Sequence, residues 1–191
     1  MRCAPRARPS RVRACSVSDD GATDIVADIA IWRPATAADL DAVERIGNAI
    51  HVNLQERPEV FANKLALFPP GCFVLARNGT VTGYGIAHPW TLGSVPPLDT
   101  LMVALPPSPD CLYIHDVVVL PAARGQGAAG VLVDVFEAAA RQHALASLAL
   151  VSVYGTYVFW ERYGFQATSD PELADKLKSY GETARYMRKY L

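Results

Sequence analysis

Apolar positions along this chain change period several times after residue 28, and each change marks an element. "IAIWRPAT", from Ile29, alternates like a short strand that ends at Pro34. Leu40, Val43, Ile46 and Ile50 then recur at helical spacing, behind Thr36 and Asp39 in a capping-box pattern. A second short helix is predicted after Pro58, through Phe61, Leu65 and Phe68, stopping at "PPG". "CFVLARNGTVTGYGIAH" returns to strand character on both sides of Asn78-Gly79, the signature of a β-hairpin.

The strongest strand signal is "CLYIHDVVVL". A helix from about Ala128 to His143 follows, with Val131, Leu132, Val135, Phe136 and Ala139 on its predicted inner face. "ASLALVSV" is another strand, so residues 111 to 153 form a βαβ unit with parallel strands. "GTYVFWERYGF" reads as a short helix ending at Gly164, and "ARYMRKYL" as a final strand. Residues 89 to 110 hold six of the 14 prolines. They predict a long crossing segment around one short helix near Leu98 to Ala104, and segments of that length are often functional. The order β-α-α-β-β-β-α-β-α-β is an α/β chain: a mixed sheet with helices on both faces and no internal repeat.

Composition narrows this without redirecting it. A 191-residue chain that is 51% apolar is most simply one domain with a real core, here residues 29–191. No stretch approaches the ~20 apolar residues of a membrane span, so no membrane partner is expected. Residues 1–28 show no strand or helix period and read as a disordered extension, an early start codon or an Arg-rich organellar transit segment. The net charge is −1, but Arg2, Arg6, Arg8, Arg11 and Arg13 all lie in that leader. From Asp19 onward 13 basic residues stand against 19 acidic, a balance of −6 that repels nucleic acid and mildly favours a cationic small molecule. Without a secretory apolar region, the cytoplasm is the expected compartment, or an organelle if the leader is a transit peptide. Cys3, Cys15, Cys72 and Cys111 lack metal-like spacing and read as free thiols, so no metal is expected.

Candidate chemistry concentrates in "VVVLPAARGQGAAGVLVDVF", residues 117 to 136. Three glycines and an arginine stand between a strand and a helix, where unpaired amides and the helix dipole attract anions. Gly125, Gly127 and Gly130 match the dinucleotide pattern G-x-G-x-x-G. That pattern normally opens the first βαβ unit and is followed by an acid on the next strand; this loop comes late, and Ala146 to Val153 holds no acid. A phosphate loop of the G-K-[ST] kind is absent. A mere tight turn would not need the arginine and two further small residues.

"RGQGAA" fits Q/R-x-x-G-x-G/A with Arg124, Gly127 and Ala129 at the defining positions, and so resembles the acetyl-CoA-binding motif of the GNAT superfamily of N-acetyltransferases. The flanks agree: "VVVLP" before the loop, "FWERYGF" like the family's F-Y-x-x-x-G-F segment, and the same element order over residues 29 to 191. The resemblance implies a central mixed sheet whose fourth and fifth strands splay apart. It implies that Arg124, Gly125, Gln126, Gly127, Ala128, Ala129 and Gly130 hold the diphosphate of acetyl-CoA, while Val117, Val118 and Val119 face its pantetheine and thioester. A strand N–H there would stabilise the oxyanion as an amine, on a small molecule or a polypeptide, attacks directly.

His115 lies where serotonin N-acetyltransferase, a member of the superfamily, carries a catalytic histidine. It is the candidate base, with a packed core histidine as the alternative. Strand alternation puts it on one face with Tyr113, Val117 and Val119, and turns Asp116 away to anchor a neighbouring loop. His88 either shares the acceptor cleft or is a strand-end polar residue. The family's general acid, the tyrosine of F-Y, is Trp160 here, and an indole N–H is no acid at neutral pH. The frequent asparagine is Val153. Tyr154, Tyr157 and Tyr163 are the substitute acids, undecided by spacing, or the coenzyme A thiolate leaves unaided. Trp90, Tyr84 and Trp160 hint at an aromatic amine, or serve the core. A domain that binds acyl-CoA without turnover is the alternative function, and a homodimer is left open.

Overall fold

The computed structural model describes residues 29–191; the leader discussed above, with Cys3 and Cys15, lies outside them. The elements are β1 (Ile31–Pro34), α1 (Leu40–Ile50), α2 (Pro58–Leu67), β2 (Cys72–Arg77), β3 (Thr80–Trp90) and β4 (Cys111–Val119). Then come α3 (Ala128–Gln142), β5 (Ser147–Ser152), α4 (Tyr157–Glu161), β6 (Gln166–Ala167), α5 (Ala174–Lys178) and β7 (Arg185–Tyr190). The strands form one sheet in the order β1-β2-β3-β4-β5-β7-β6. Every pairing is antiparallel except β4 with β5.

Local chemistry explains the boundaries. Asn78 (φ 50°) and Gly79 (φ 76°) are both left-handed, as a two-residue hairpin matching strand twist requires. Ahead of α1, Asp39 accepts from the Thr36 N–H at 2.8 Å and its hydroxyl at 2.9 Å, as well as from Arg33. Arg33 holds that carboxyl well below the usual carboxylate range. The cap is therefore also an ion pair that ties the helix to β1.

Buried clusters cover both faces of the sheet. On one face, Val43, Ile46 and Phe61 of α1 and α2 pack on Val74, Tyr84, Ile86 and Val118. On the other, Leu132, Val133, Phe136 and Ala140 of α3 cover Leu112, Ile114, Leu148 and Leu150. The buried face of α3 is thus rotated from the expected one: Val131 is 54% exposed and Val133 is buried. The cause is Gly85 on β3, where a Cβ would come within 2.3 Å of Leu132. The missing side chain lets Leu132 settle on the sheet and sets the phase of the helix.

The helix expected near 98–104 does not form. Strand β3 runs on through Pro89 to Trp90, and residues 91–110 cross over without regular structure. Prolines at 96, 97, 106 and 107 bracket the stretch, and side chains replace helical partners. The Met102 N–H and C=O both bond the Asn63 amide, at 2.8 and 3.0 Å, and the Asp99 N–H donates to Glu56 at 2.8 Å. The short β6 and α5 carry too few residues for a legible period.

One irregularity decides where the site lies. Between β3 and β4, Ile86 pairs with Asp116 and Ala87 with Ile114, which leaves His115 as an extra residue in β4. Such a bulge bends and twists its strand. It also interrupts side-chain alternation. Tyr113, His115 and Asp116 all address the α1/α2 face, and Val117 turns to the α3 face. The expectation that Asp116 faces away from His115, and that Val117 shares its face, fails for this reason.

Candidate active site

Strand β4 pairs with β5 only at Leu112, Tyr113 and Ile114. Beyond the bulge the two strands part, and a cleft of about 700 Å³ opens between them. Its two ends are built differently.

At one end lies the glycine loop. Gly125 (φ 83°) and Gly127 (φ 74°) are left-handed, and a Cβ on either would meet only open space. These glycines serve backbone direction, leaving room above the loop for a ligand. Gly127 caps α3 without a side chain, so the Ala128 and Ala129 N–H groups find no acceptor among the described residues. Trp32 donates to the Ala128 carbonyl at 2.7 Å and pins the helix start. Arg124 closes the loop by donating Nε to the Val119 carbonyl at 2.7 Å. Bare amides, a positive helix end and an arginine suit a diphosphate. Arg124, Gly125, Gly127, Ala128 and Ala129 line the cleft together with Val117, Val118 and Val119; Gln126 and Gly130 do not. Gly130 instead accommodates the Tyr163 ring, which a Cβ would approach to 3.1 Å.

At the other end two carboxylate–histidine pairs flank the bulge. His115 Nε2 lies 2.6 Å from Glu56 Oε2, each side chain 5% exposed. Burial alone would raise the Glu56 pKa, but His115, Lys64 and the Asp99 N–H overcome it and bring it to about 2. An ionised Glu56 can only accept, so His115 Nε2 donates to it and Nδ1 is the ring nitrogen left for another partner. The second pair is His51, at the end of α1, with Nε2 3.0 Å from Asp116 Oδ1. Tyr84 donates to the other Asp116 oxygen at 2.5 Å. Burial works against the His51 cation, yet Asp116, with Glu56 nearby, raises its pKa above the ordinary imidazole value.

The aromatic candidates separate cleanly. Tyr154 lines the cleft and stacks on His51 with ring centroids 5.8 Å apart. Its backbone is left-handed, φ 54°, an uncommon conformation for a tyrosine. Tyr163 lines the cleft near the glycine loop, and Tyr157 packs against Arg185 without lining it. Trp160 is buried against Phe159 and Phe165 and forms part of the wall. His88 is fully buried and does not line the cleft; its ring lies 5.9 Å from that of His115. Burial first, and His115 second, depress its pKa to about 3, so it stays neutral.

Glu56 and His51 were not singled out by sequence. They sit in the polar connection around α1 and α2 and meet β4 across 59 and 65 residues. No periodicity marks such partners.

A mixed sheet with a splayed parallel pair, and a bare-amide loop at the head of the following helix, define the acyl-CoA-binding acetyltransferase class of fold. Residues 40–165 match the Acetyltransferase (GNAT) family, and the chain belongs to it. No curated protein matches the chain. Among solved structures it is similar to Arabidopsis thaliana Naa50 in complex with the bisubstrate analogue CoA-Ac-MVNAL. The identity is 12%, over 85% of this chain and 99% of that one, with a TM-score of 0.63. It is also similar to the Neisseria gonorrhoeae N-acetylglutamate synthase complexed with coenzyme A and N-acetyl-glutamate, at 18% identity over 85% of this chain and 35% of that one, TM-score 0.65. A third is the GphF GNAT-like decarboxylase with isobutyryl-CoA, at 19% identity over 84% and 98%, TM-score 0.65. These likenesses concern the fold, and the three proteins differ in chemistry.

Proposed function

We propose that this protein transfers the acetyl group of acetyl-CoA to an amine by direct attack. The observation that carries this reading is the Glu56–His115 pair at the bulge, in a cleft whose other end suits a diphosphate. His115 Nδ1 takes a proton from the incoming ammonium, and the freed nitrogen lone pair attacks the thioester carbonyl. The oxyanion is met by backbone N–H groups on the edge of β4 that β5 has left beyond Ile114. The C–S bond then breaks with its electrons on sulfur, and Tyr154 supplies the proton to the thiolate. Burial, then Asp116, raise the Tyr154 pKa, so the phenol is protonated at neutral pH.

Trp160 in place of the family tyrosine favours a second reading, an acyl-CoA-binding domain without turnover. Release of free thiol from acetyl-CoA on addition of amines separates the two. Thiol release that requires amine is the expected result; tight acetyl-CoA binding with no release from any amine would support the second reading.

A further inference from the structure

The cleft is charged in opposite senses at its two ends. Among the described residues, its only carboxylates are Glu56 and Asp116, both beside the bulge. Its only guanidinium groups are Arg124, before α3, and Arg162, after α4. No lysine lines it. Arg57 points to Asp99, which it bonds at 2.9 Å, and Lys64 is buried in α2 behind the wall. His51 is committed to Asp116 and screened by the Tyr154 ring, its Nδ1 buried.

A molecule entering beside Glu56 therefore meets carboxylates and no lysine or arginine, with His51 held on Asp116 and its Nδ1 buried out of reach. The rest of that end is apolar or aromatic: Ile50, Leu54, Leu98, Tyr113 and Tyr180. An α-carboxylate one bond from the amino carbon would sit against ionised Glu56, and like-charge contacts of this kind strongly disfavour a ligand.

The crossing segment adds a second restriction. An extended peptide gains affinity by pairing its backbone with a free edge. Along residues 91–110 side chains of the fold take several of those groups. The Gly93 N–H bonds the Tyr186 hydroxyl, the Pro96 carbonyl accepts from Tyr180, the Asp99 N–H goes to Glu56, and Met102 is bonded at both ends to Asn63. At these positions the segment forms a wall rather than a docking edge.

We propose that the acceptor is a small primary amine on an uncharged apolar or aromatic body, with no carboxylate beside the amine, and is neither a free amino acid nor a peptide N-terminus. This rests on the amine-acetyltransferase reading above.

The test compares acceptors of one shape with the full-length protein and acetyl-CoA: phenethylamine, phenylalanine, and a pentapeptide beginning with phenylalanine. The expected kcat/KM for phenethylamine exceeds that for phenylalanine by about 10²-fold or more, and that for the peptide by at least about 10-fold. Leu54→Arg, which puts a cation on the half-buried wall, should narrow the amine-to-amino-acid ratio at least about 10-fold with calorimetric acetyl-CoA affinity kept. Phenylalanine or the peptide turning over as well as phenethylamine would overturn the acceptor class and leave the transferase intact. If acetyl-CoA binds and phenethylamine releases no thiol, the acceptor class is overturned; only silence from every amine of a wider panel overturns the transferase reading with it.

Discussion

The two ends of the cleft are made from different materials. The glycine loop is contiguous in sequence, and it presents main-chain amides that any residue would supply once φ is allowed. The opposite end is assembled from α1, the α1–α2 connection, the crossing segment and β4, and it presents side chains. A backbone site survives most substitutions and fails at a few glycines. A side-chain site is specific, and each of its members can be removed alone. The bulge at His115 joins them: β4 leaves β5 at Ile114, just before it, and His115 and Asp116 turn to the same face of the sheet.

The contrast breaks most sharply at Gly127. Gly127→Glu should abolish acetyl-CoA binding, a loss of at least about 10³-fold by calorimetry, because a carboxylate and a strained φ enter the diphosphate position together. Circular dichroism should still report a folded chain, since a Cβ there meets nothing. Retained affinity in the folded variant would remove the loop from the cofactor site.

The acceptor end should fail in kcat with affinity kept. Glu56→Gln ought to lower kcat by roughly 10²-fold, because the neutral amide no longer fixes the His115 proton on Nε2. The same variant carries a stability signature. Glu56 has its folded pKa at about 2, below the ordinary 4.5. Its contribution is complete above 4.5 and is lost as pH falls from there toward 2. Thermal melts of the variant should therefore lose less Tm across that acid window than wild type does.

These partners also mark the boundary of what sequence can convey. Arg124, Gly127 and Ala129 stand out in the sequence through the spacing of a family motif, and His115 through its resemblance to a family position; all four line the cleft. Glu56 and His51 do not stand out, since their meaning lies in pairing across the fold. The orientation of Asp116 was misread because strand alternation carries no sign of a bulge. The crossing segment was read as helix in part because its backbone is satisfied by Asn63 and Glu56, again distant in sequence.

Smaller effects sharpen the tyrosine assignment. Tyr154→Phe should cut kcat about 10-fold, a modest loss because a thiolate leaves tolerably well without help. It should also erase the alkaline fall of the pH–rate profile, which the phenol places above its ordinary 10. Tyr157→Phe, off the cleft, should leave both unchanged. The reverse pattern would move the acid to another residue. The least change is expected from Asn63→Ala, which frees the Met102 backbone: a few-fold rise in acceptor KM, with the acetyl-CoA KM constant.

His115→Ala, assayed for turnover and for acetyl-CoA affinity in the same preparation, addresses the central claim most directly. The Glu56–His115 base predicts a kcat lower by about 10²-fold or more and unchanged calorimetric affinity for acetyl-CoA. Wild-type kcat would contradict it and assign His115 to packing.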